Sequence, residues 1–271
     1  MNTRRDFFNK VVAGGVFLSL SDIAASAITT PRRRAIHFRN DNILLFQGDS
    51  LTDAGRDREY PFPNAHQTFG RGYVIQTAGE LLVKYAGKNL SIYNKGISGD
   101  KVQDLTRRWK EDCIDLKPDI LSILIGINDF MQAESKDYTR NALTYEKELR
   151  SLLDQTMTAL PKLQLIIGEP FVITGIKKPR NHEGHPVNFV VDEALYNELG
   201  KYRAVAREIA DELNAVFIPY QKIFDEAKKY APPVYWSHDG IHASIAGTRL
   251  MATAWLQATE GRIKEEFEIE I

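Results

Sequence analysis

From Asn42 onward, short apolar runs alternate with segments whose apolar residues recur at helical spacing. Ile43 to Gln47, Leu90 to Asn94, Ile120 to Ile125, Leu163 to Ile167 and Ala215 to Ile218 read as five β-strands. Ile120 to Ile125 is apolar at every position but Ser122, the pattern of a central parallel strand covered on both faces. Between strands the period becomes helical. Ala142, Tyr145, Leu149, Leu152, Leu153, Met157 and Leu160 form one stripe that Pro161 ends, and Leu195, Leu199, Tyr202, Val205, Ala206, Ile209 and Leu213 form another. Repeated β-α units of this kind predict one doubly wound, three-layer α/β domain around a parallel sheet. Its ligand site is expected at the carboxyl ends of the strands.

The N-terminus breaks the pattern. Arg4-Arg5-Asp6-Phe7-Phe8 precedes an apolar run from Val11 to Leu20, and Ala25-Ser26-Ala27 supplies a small-residue cleavage site. The run is about half of the roughly 20 residues a membrane span needs. Residues 1–27 therefore read as an export signal of twin-arginine or general secretory type, with residues 28–271 as a single domain in the periplasm or outside the cell.

Composition narrows the function classes. Of 271 residues, 43% are hydrophobic, and 35 Lys+Arg face 36 Asp+Glu, so no bulk charge draws the chain to nucleic acid or an anionic membrane. One cysteine, Cys113, excludes an internal disulfide framework and a Cys-rich zinc module. Its place in a helical stretch suits a small buried apolar residue. No later segment is apolar enough to span a membrane, and nothing in the pattern opposes a homo-oligomer.

Polar residues gather at the predicted strand ends. Gly48-Asp49-Ser50-Leu51 ends the first, Asn94-Lys95-Gly96-Ile97-Ser98-Gly99 the second, and Gly126-Ile127-Asn128-Asp129 the third. Ser237-His238-Asp239-Gly240-Ile241-His242 lies between the last strand and the last helix. Ser50 suits a nucleophile, because a hydroxyl at a strand-to-helix turn stands at the rim of the sheet. A serine hydroxyl needs a base to remove its proton, and His242 is the candidate, with Asp239 three residues earlier to fix its tautomer. Backbone N–H groups of Ser50 and Gly96 and the Asn128 amide could receive an oxyanion.

Together these blocks resemble the SGNH (GDSL) hydrolase family, with Ser50, Gly96, Asn128 and His242 falling in its four blocks in order. The resemblance implies a flavodoxin-like fold and a catalytic aspartate at Asp239. Gly48 to Arg56, Arg71-Gly72-Tyr73-Val74, Asn94 to Gly99, Arg107-Arg108-Trp109 and Ile125 to Asp129 are similar to the family's carbohydrate esterases, among them those that deacetylate xylan or xylooligosaccharides. The likeness runs from about Asn42 to Leu256. It implies an acetylated carbohydrate as substrate, an acetyl-enzyme, and no metal or organic cofactor. The family commonly has proline after the histidine. Ala243 stands there, which should loosen the turn.

Other readings carry less. A flavin phosphate after the first strand would be repelled by Asp49 and Asp53, and a mere sugar-binding module would not need Asp239 and His242 beside Ser50. A lysophospholipase or thioesterase of the same family would need an apolar groove, whereas Arg56, Asp57, Arg58 and Glu59 suit a polar substrate. His182 and His185 read as an exposed loop lacking a third metal ligand. Trp236, His238 and Arg56 are expected to line the substrate site, and Asp49 to hold the turn before Ser50.

Overall fold

The computed structural model describes residues 34–132, 141–181 and 184–262. The export-signal reading of residues 1–27 lies outside them. Five strands, β1 (Ile43–Gly48), β2 (Ser91–Asn94), β3 (Ile120–Leu124), β4 (Gln164–Gly168) and β5 (Val216–Ile218), pair in the order β2-β1-β3-β4-β5, every pair parallel. This is the flavodoxin-like order, whose reversal of direction falls between β1 and β3. Each strand lies within one residue of its sequence reading at either end.

Strict alternation explains why this sheet sits between two helical layers. Leu44, Phe46, Ile120, Leu124 and Ile166 face one core, and Leu45, Leu121, Ile123, Leu165 and Ile167 face the other. The first core is closed by α2 (Tyr73–Lys84), α7 (Tyr220–Ala227) and α9 (Ile245–Thr259). The second is closed by α3 (Val102–Trp109), α5 (Ala142–Ala159) and α6 (Glu193–Glu212). The remaining short helices are α1 (Ser50–Asp53), α4 (Ile127–Met131) and α8 (Pro233–Trp236). Both helical stripes form as the spacing requires, and side-chain caps start them: Asn141 accepts Thr144 N–H at the head of α5, and Asp192 accepts Leu195 N–H at the head of α6.

Two buried polar pairs, one in the sheet and one between helices, are satisfied by hydrogen bonds. Ser122, the one polar residue of β3, accepts the indole N–H of fully buried Trp255 at 2.9 Å, tying α9 to the central strand. Trp109 donates to Thr156 at 2.7 Å and ties α3 to α5. Cys113 is fully buried in the π-helical turn after α3, and burial pushes its thiol up to about 12. That suits a small apolar residue rather than a reactive one. No helix among the described residues is long and apolar enough to cross a membrane.

Candidate active site

The chain reaches Ser50 through a turn that only glycine can make. Gly48 has φ +153°, and a Cβ there would lie 2.2 Å from the Leu124 carbonyl oxygen and 2.6 Å from Thr52 Oγ1. Asp49 caps α1, its Oδ1 accepting Leu51 N–H at 3.0 Å, and Ser50 follows at the rim. Asp49 Oδ2 is buried and has no hydrogen-bond partner among the described residues. Burial pushes its carboxyl up to about 7, against the Leu51 N–H and the charge of His242, which favour the anion.

The last loop brings two more groups to Ser50. Ser50 Oγ lies 2.9 Å from His242 Nε2, and His242 Nδ1 lies 2.6 Å from Asp239 Oδ2. The other Asp239 oxygen accepts N–H groups from Ile241 (2.8 Å) and His242 (2.7 Å). Burial disfavours the Asp239 carboxylate, but the hydrogen bond and charge of His242, with these amides, outweigh it and hold the group below its usual range. The hydrogen bond His242 makes to Asp239 raises the His242 pKa, against burial, and the charges of Asp239 and Asp49 add to the rise. Nδ1 is thereby fixed as the protonated nitrogen, leaving Nε2 to accept from Ser50.

The turn bearing Asp239 and His242 is not loose, although Ala243 replaces the proline. Ser237 and Ala243 form an antiparallel bridge, Ser237 Oγ donates to the His242 carbonyl at 2.7 Å, and Ser244 Oγ donates to the Tyr235 carbonyl at 2.6 Å. The segment after β4 braces it further, with Ile173 N–H on the Gly240 carbonyl and Arg180 N–H on the His238 carbonyl.

The loop after β2 corrects one expectation. Gly96 is buried, and its N–H donates to Asn94 Oδ1 at 2.9 Å, so it is not available to an oxyanion. It is a glycine for packing: a Cβ would come 2.6 Å from Asp53 N. Among the described residues, the Gly99 N–H has no acceptor. Asp100 N–H donates to the Ile97 carbonyl, closing a four-residue turn with Gly99 at φ +89°, as a type II turn requires. The Gly99 N–H takes no part in that bond, and the residue is exposed. Ile97 N–H donates to the Gly48 carbonyl, Ser98 N–H to Asp53 Oδ2, and Asn128 Nδ2 to the Asp100 carbonyl at 3.1 Å. The turn is therefore gripped on one side by the segment around Ser50 and on the other by Asn128, with Gly99 between them. One Asn128 amide hydrogen stays uncommitted.

The expected substrate-lining residues also change. Trp236 is only 8% exposed, packs into the first core and donates its indole N–H to the Ala231 carbonyl, so it is a core residue. The exposed ring of that turn is Tyr235, 55% exposed and edge-on to Trp236 at 5.0 Å. Arg56 Nε is committed to the Gly96 carbonyl at 2.8 Å, which makes it a brace for the loop after β2. His238 is exposed beside the site, and its carbonyl is held by Arg180. Sequence reasoning missed Asp53. Buried at the end of α1, it joins Arg56 N–H, the Arg58 guanidinium and Ser98 N–H. His182 lies outside the described residues, while His185 is exposed with its N–H on Asn181 Oδ1. Among the described residues, no three His, Cys, Asp or Glu side chains converge to hold a metal.

A hydroxyl, an imidazole and a carboxylate in one hydrogen-bonded line, at the carboxyl edge of a parallel sheet and beside unpaired N–H donors, define the chemistry of an ester hydrolase. The chain belongs to the GDSL-like Lipase/Acylhydrolase family, whose model matches residues 46–250, and it is a carboxylic ester hydrolase. It is 36% identical over 221 residues to an acetylxylan esterase from Geobacillus stearothermophilus, covering 79% of this chain and 92% of that protein. A solved structure of that enzyme, Axe2, superposes with a TM-score of 0.71 at 33% identity, covering 83% of this chain and 96% of the other. A putative GDSL-like lipase from Parabacteroides merdae superposes with a TM-score of 0.75 at 41% identity, covering 84% and 99%.

Proposed function

We propose that this esterase removes O-acetyl groups from xylan-type polysaccharide or its oligosaccharides through an acetyl-enzyme. Ser50 Oγ attacks the acetyl carbonyl while His242 Nε2 takes its proton. The C–O bond to the sugar then breaks, and His242 returns the proton to the departing sugar oxygen. Water, deprotonated by the same nitrogen, attacks the acetyl-Ser50 carbonyl; the bond from that carbon to Ser50 Oγ breaks, His242 returns the proton to Oγ, and acetate leaves. Asp239 holds the imidazole and favours the imidazolium that forms in each half. The oxyanion rests on the Ser50 N–H, the Gly99 N–H and the Asn128 amide, with Gly99 taking the place first assigned to Gly96. Tyr235 and His238 offer the exposed surface a sugar ring would meet.

The observation that carries the mechanism is the 2.9 Å contact from Ser50 to His242 and the 2.6 Å contact from His242 to Asp239. The substrate class rests on the likeness to an acetylxylan esterase across most of both chains. The test measures acetate released from acetylated xylooligosaccharides beside turnover of p-nitrophenyl esters from acetyl to decanoyl. Acetate release with a steep loss beyond the shortest acyl chains is expected. Preference for long chains would instead establish the lysophospholipase or thioesterase reading.

Export is part of the same proposal. Protein recovered outside the cytoplasm should begin after Ala27 by mass spectrometry, and Arg4→Lys with Arg5→Lys should retain it inside if the route is twin-arginine. Normal export of the double variant would favour the general secretory route.

A further inference from the structure

We infer that Arg108 is a positioning residue for the oxyanion site, a guanidinium brace that holds the loop after β2 at both ends. The inference rests on the acyl-transfer reading above. Arg108 Nη1 donates to the Lys95 carbonyl, where the loop begins, at 2.8 Å. Its Nε donates to Asp100 Oδ2, where the loop ends, at 2.9 Å, and Nη2 stands at the same oxygen. The same Nη1 also lies 3.1 Å from Gln47 Oε1 in β1 and 2.8 Å from Asp112 Oδ2, so three acceptors share its two hydrogens while Nε serves Asp100. One rigid, planar fork thus joins strand β1, both ends of the loop and the turn after α3. Lysine, with a single nitrogen on a flexible stem, cannot span these acceptors.

What the brace fixes matters for acyl transfer. Between Lys95 and Asp100 lies Gly99, whose N–H is free, and the Asp100 carbonyl is the acceptor that orients Asn128 Nδ2. Two of the three proposed oxyanion donors are therefore referenced to a loop whose ends Arg108 ties together. Displacing a donor by about 1 Å can cost as much as 10²-fold in rate. The Arg108 side chain is largely shielded from solvent, so its bonds face little competition from water. Its neighbour Arg107 is mostly exposed and, among the described residues, pairs only with Asp104, which makes it the matched control.

The experiment is a kinetic cycle on the full chain with p-nitrophenyl acetate and acetylated xylooligosaccharide, using Arg108→Gln, Arg108→Lys, Arg107→Gln, Asn128→Ala and Arg108→Gln with Asn128→Ala. Arg108→Gln should lower kcat about 10- to 100-fold with KM within about threefold, because the donors act chiefly in the transition state. Asn128→Ala should lower kcat much less in the Arg108→Gln background than in the wild type, since both changes disable one device. Arg107→Gln should match the wild type. If Arg108→Gln does not fold, Arg108→Lys carries the test: with a native near-UV circular dichroism spectrum it should still lose at least about fivefold in kcat. An unchanged kcat in a folded Arg108 variant, a loss confined to KM, or fully multiplicative effects with Asn128→Ala would each overturn the inference. Failure of the acyl-transfer reading looks different, as undiminished turnover by Ser50→Ala whatever the Arg108 variants do.

Discussion

Asn94 Oδ1 accepts the Gly96 N–H at 2.9 Å, and this one bond reassigns a donor of the active site. The Asn94 amide nitrogen donates in turn to the carbonyls of Thr52 and Phe69, at 2.7 and 3.1 Å. A single buried side chain thus closes off the first glycine of the loop and ties it to the segments that follow Ser50. The second glycine, Gly99, is left with its N–H unpaired.

The two glycines should respond differently to alanine. Gly96→Ala forces a Cβ to 2.6 Å from Asp53 N and should cripple folding, seen as a large fall in the urea midpoint or loss of soluble protein. Gly99→Ala has open space around its Cβ and should fold, at a cost of about 1–2 kcal/mol for the positive φ. Its kcat should nevertheless drop at least about tenfold as the turn relaxes. A folded, active Gly96→Ala would return the donor role to that amide.

Asn128→Ala should lower kcat by about 10²–10³ with little change in KM. The amide gives one hydrogen to the Asp100 carbonyl, which sets its orientation. A variant altered mainly in KM would place Asn128 on the ground-state substrate instead.

The core offers a prediction independent of chemistry. Trp255→Phe removes the N–H that Ser122 accepts and leaves a gap beside Phe46, whose ring centroid lies 5.4 Å from the indole. The expected loss is about 2–4 kcal/mol in urea unfolding, from the lost bond and the unfilled volume together. Trp255→Phe with Ser122→Ala should recover part of it, because no hydroxyl is then left buried without a partner. A double variant no more stable than the single one would show that volume alone accounts for the cost.

The strands and helices were legible because a sheet covered on both faces writes continuous apolar runs, and the helices between them write a stripe. Ser50, Asp239, Asn128 and His242 were legible as positions because this topology gathers strand-end loops at one edge. Which donors are free was not. Gly96 and Gly99 look alike along the chain, and only the Asn94 side chain distinguishes them. One signal did exist: Ile97-Ser98-Gly99-Asp100 is a type II turn sequence with glycine at its third position. Trp236 was misread for a different reason. It adjoins exposed Tyr235 on a single turn of α8, and neighbouring residues there point opposite ways, one to the core and one to solvent. Arg56 read as a substrate-lining residue and Arg108 as part of a family-like motif; their bracing contacts were hidden because the backbone-carbonyl partners, Gly96 and Lys95, lie 40 and 13 residues away.

The pH profile tests the Ser50–His242–Asp239 line most directly. Only neutral His242 can accept the Ser50 proton, so kcat/KM should rise with pH as His242 deprotonates, in a range where the Asp49 carboxyl, pushed up to about 7, titrates as well. The hydrogen bond to Asp239 raises the His242 pKa, and the charge of Asp49 acts in the same direction, so the midpoint should lie above the ordinary histidine value of about 6.5. The sign for each variant follows. Asp49→Asn removes a carboxylate that favours the imidazolium, so the midpoint should move to lower pH while the plateau changes less. Asp239→Asn should lower the midpoint too, but with a far larger loss of plateau kcat, because the tautomer and orientation of the ring are lost with the charge. His238→Ala should leave the midpoint in place, since its side chain stands outside the hydrogen-bonded line. A wild-type midpoint below 6.5, or a midpoint that Asp239→Asn leaves unmoved, would assign the limb to some group other than His242.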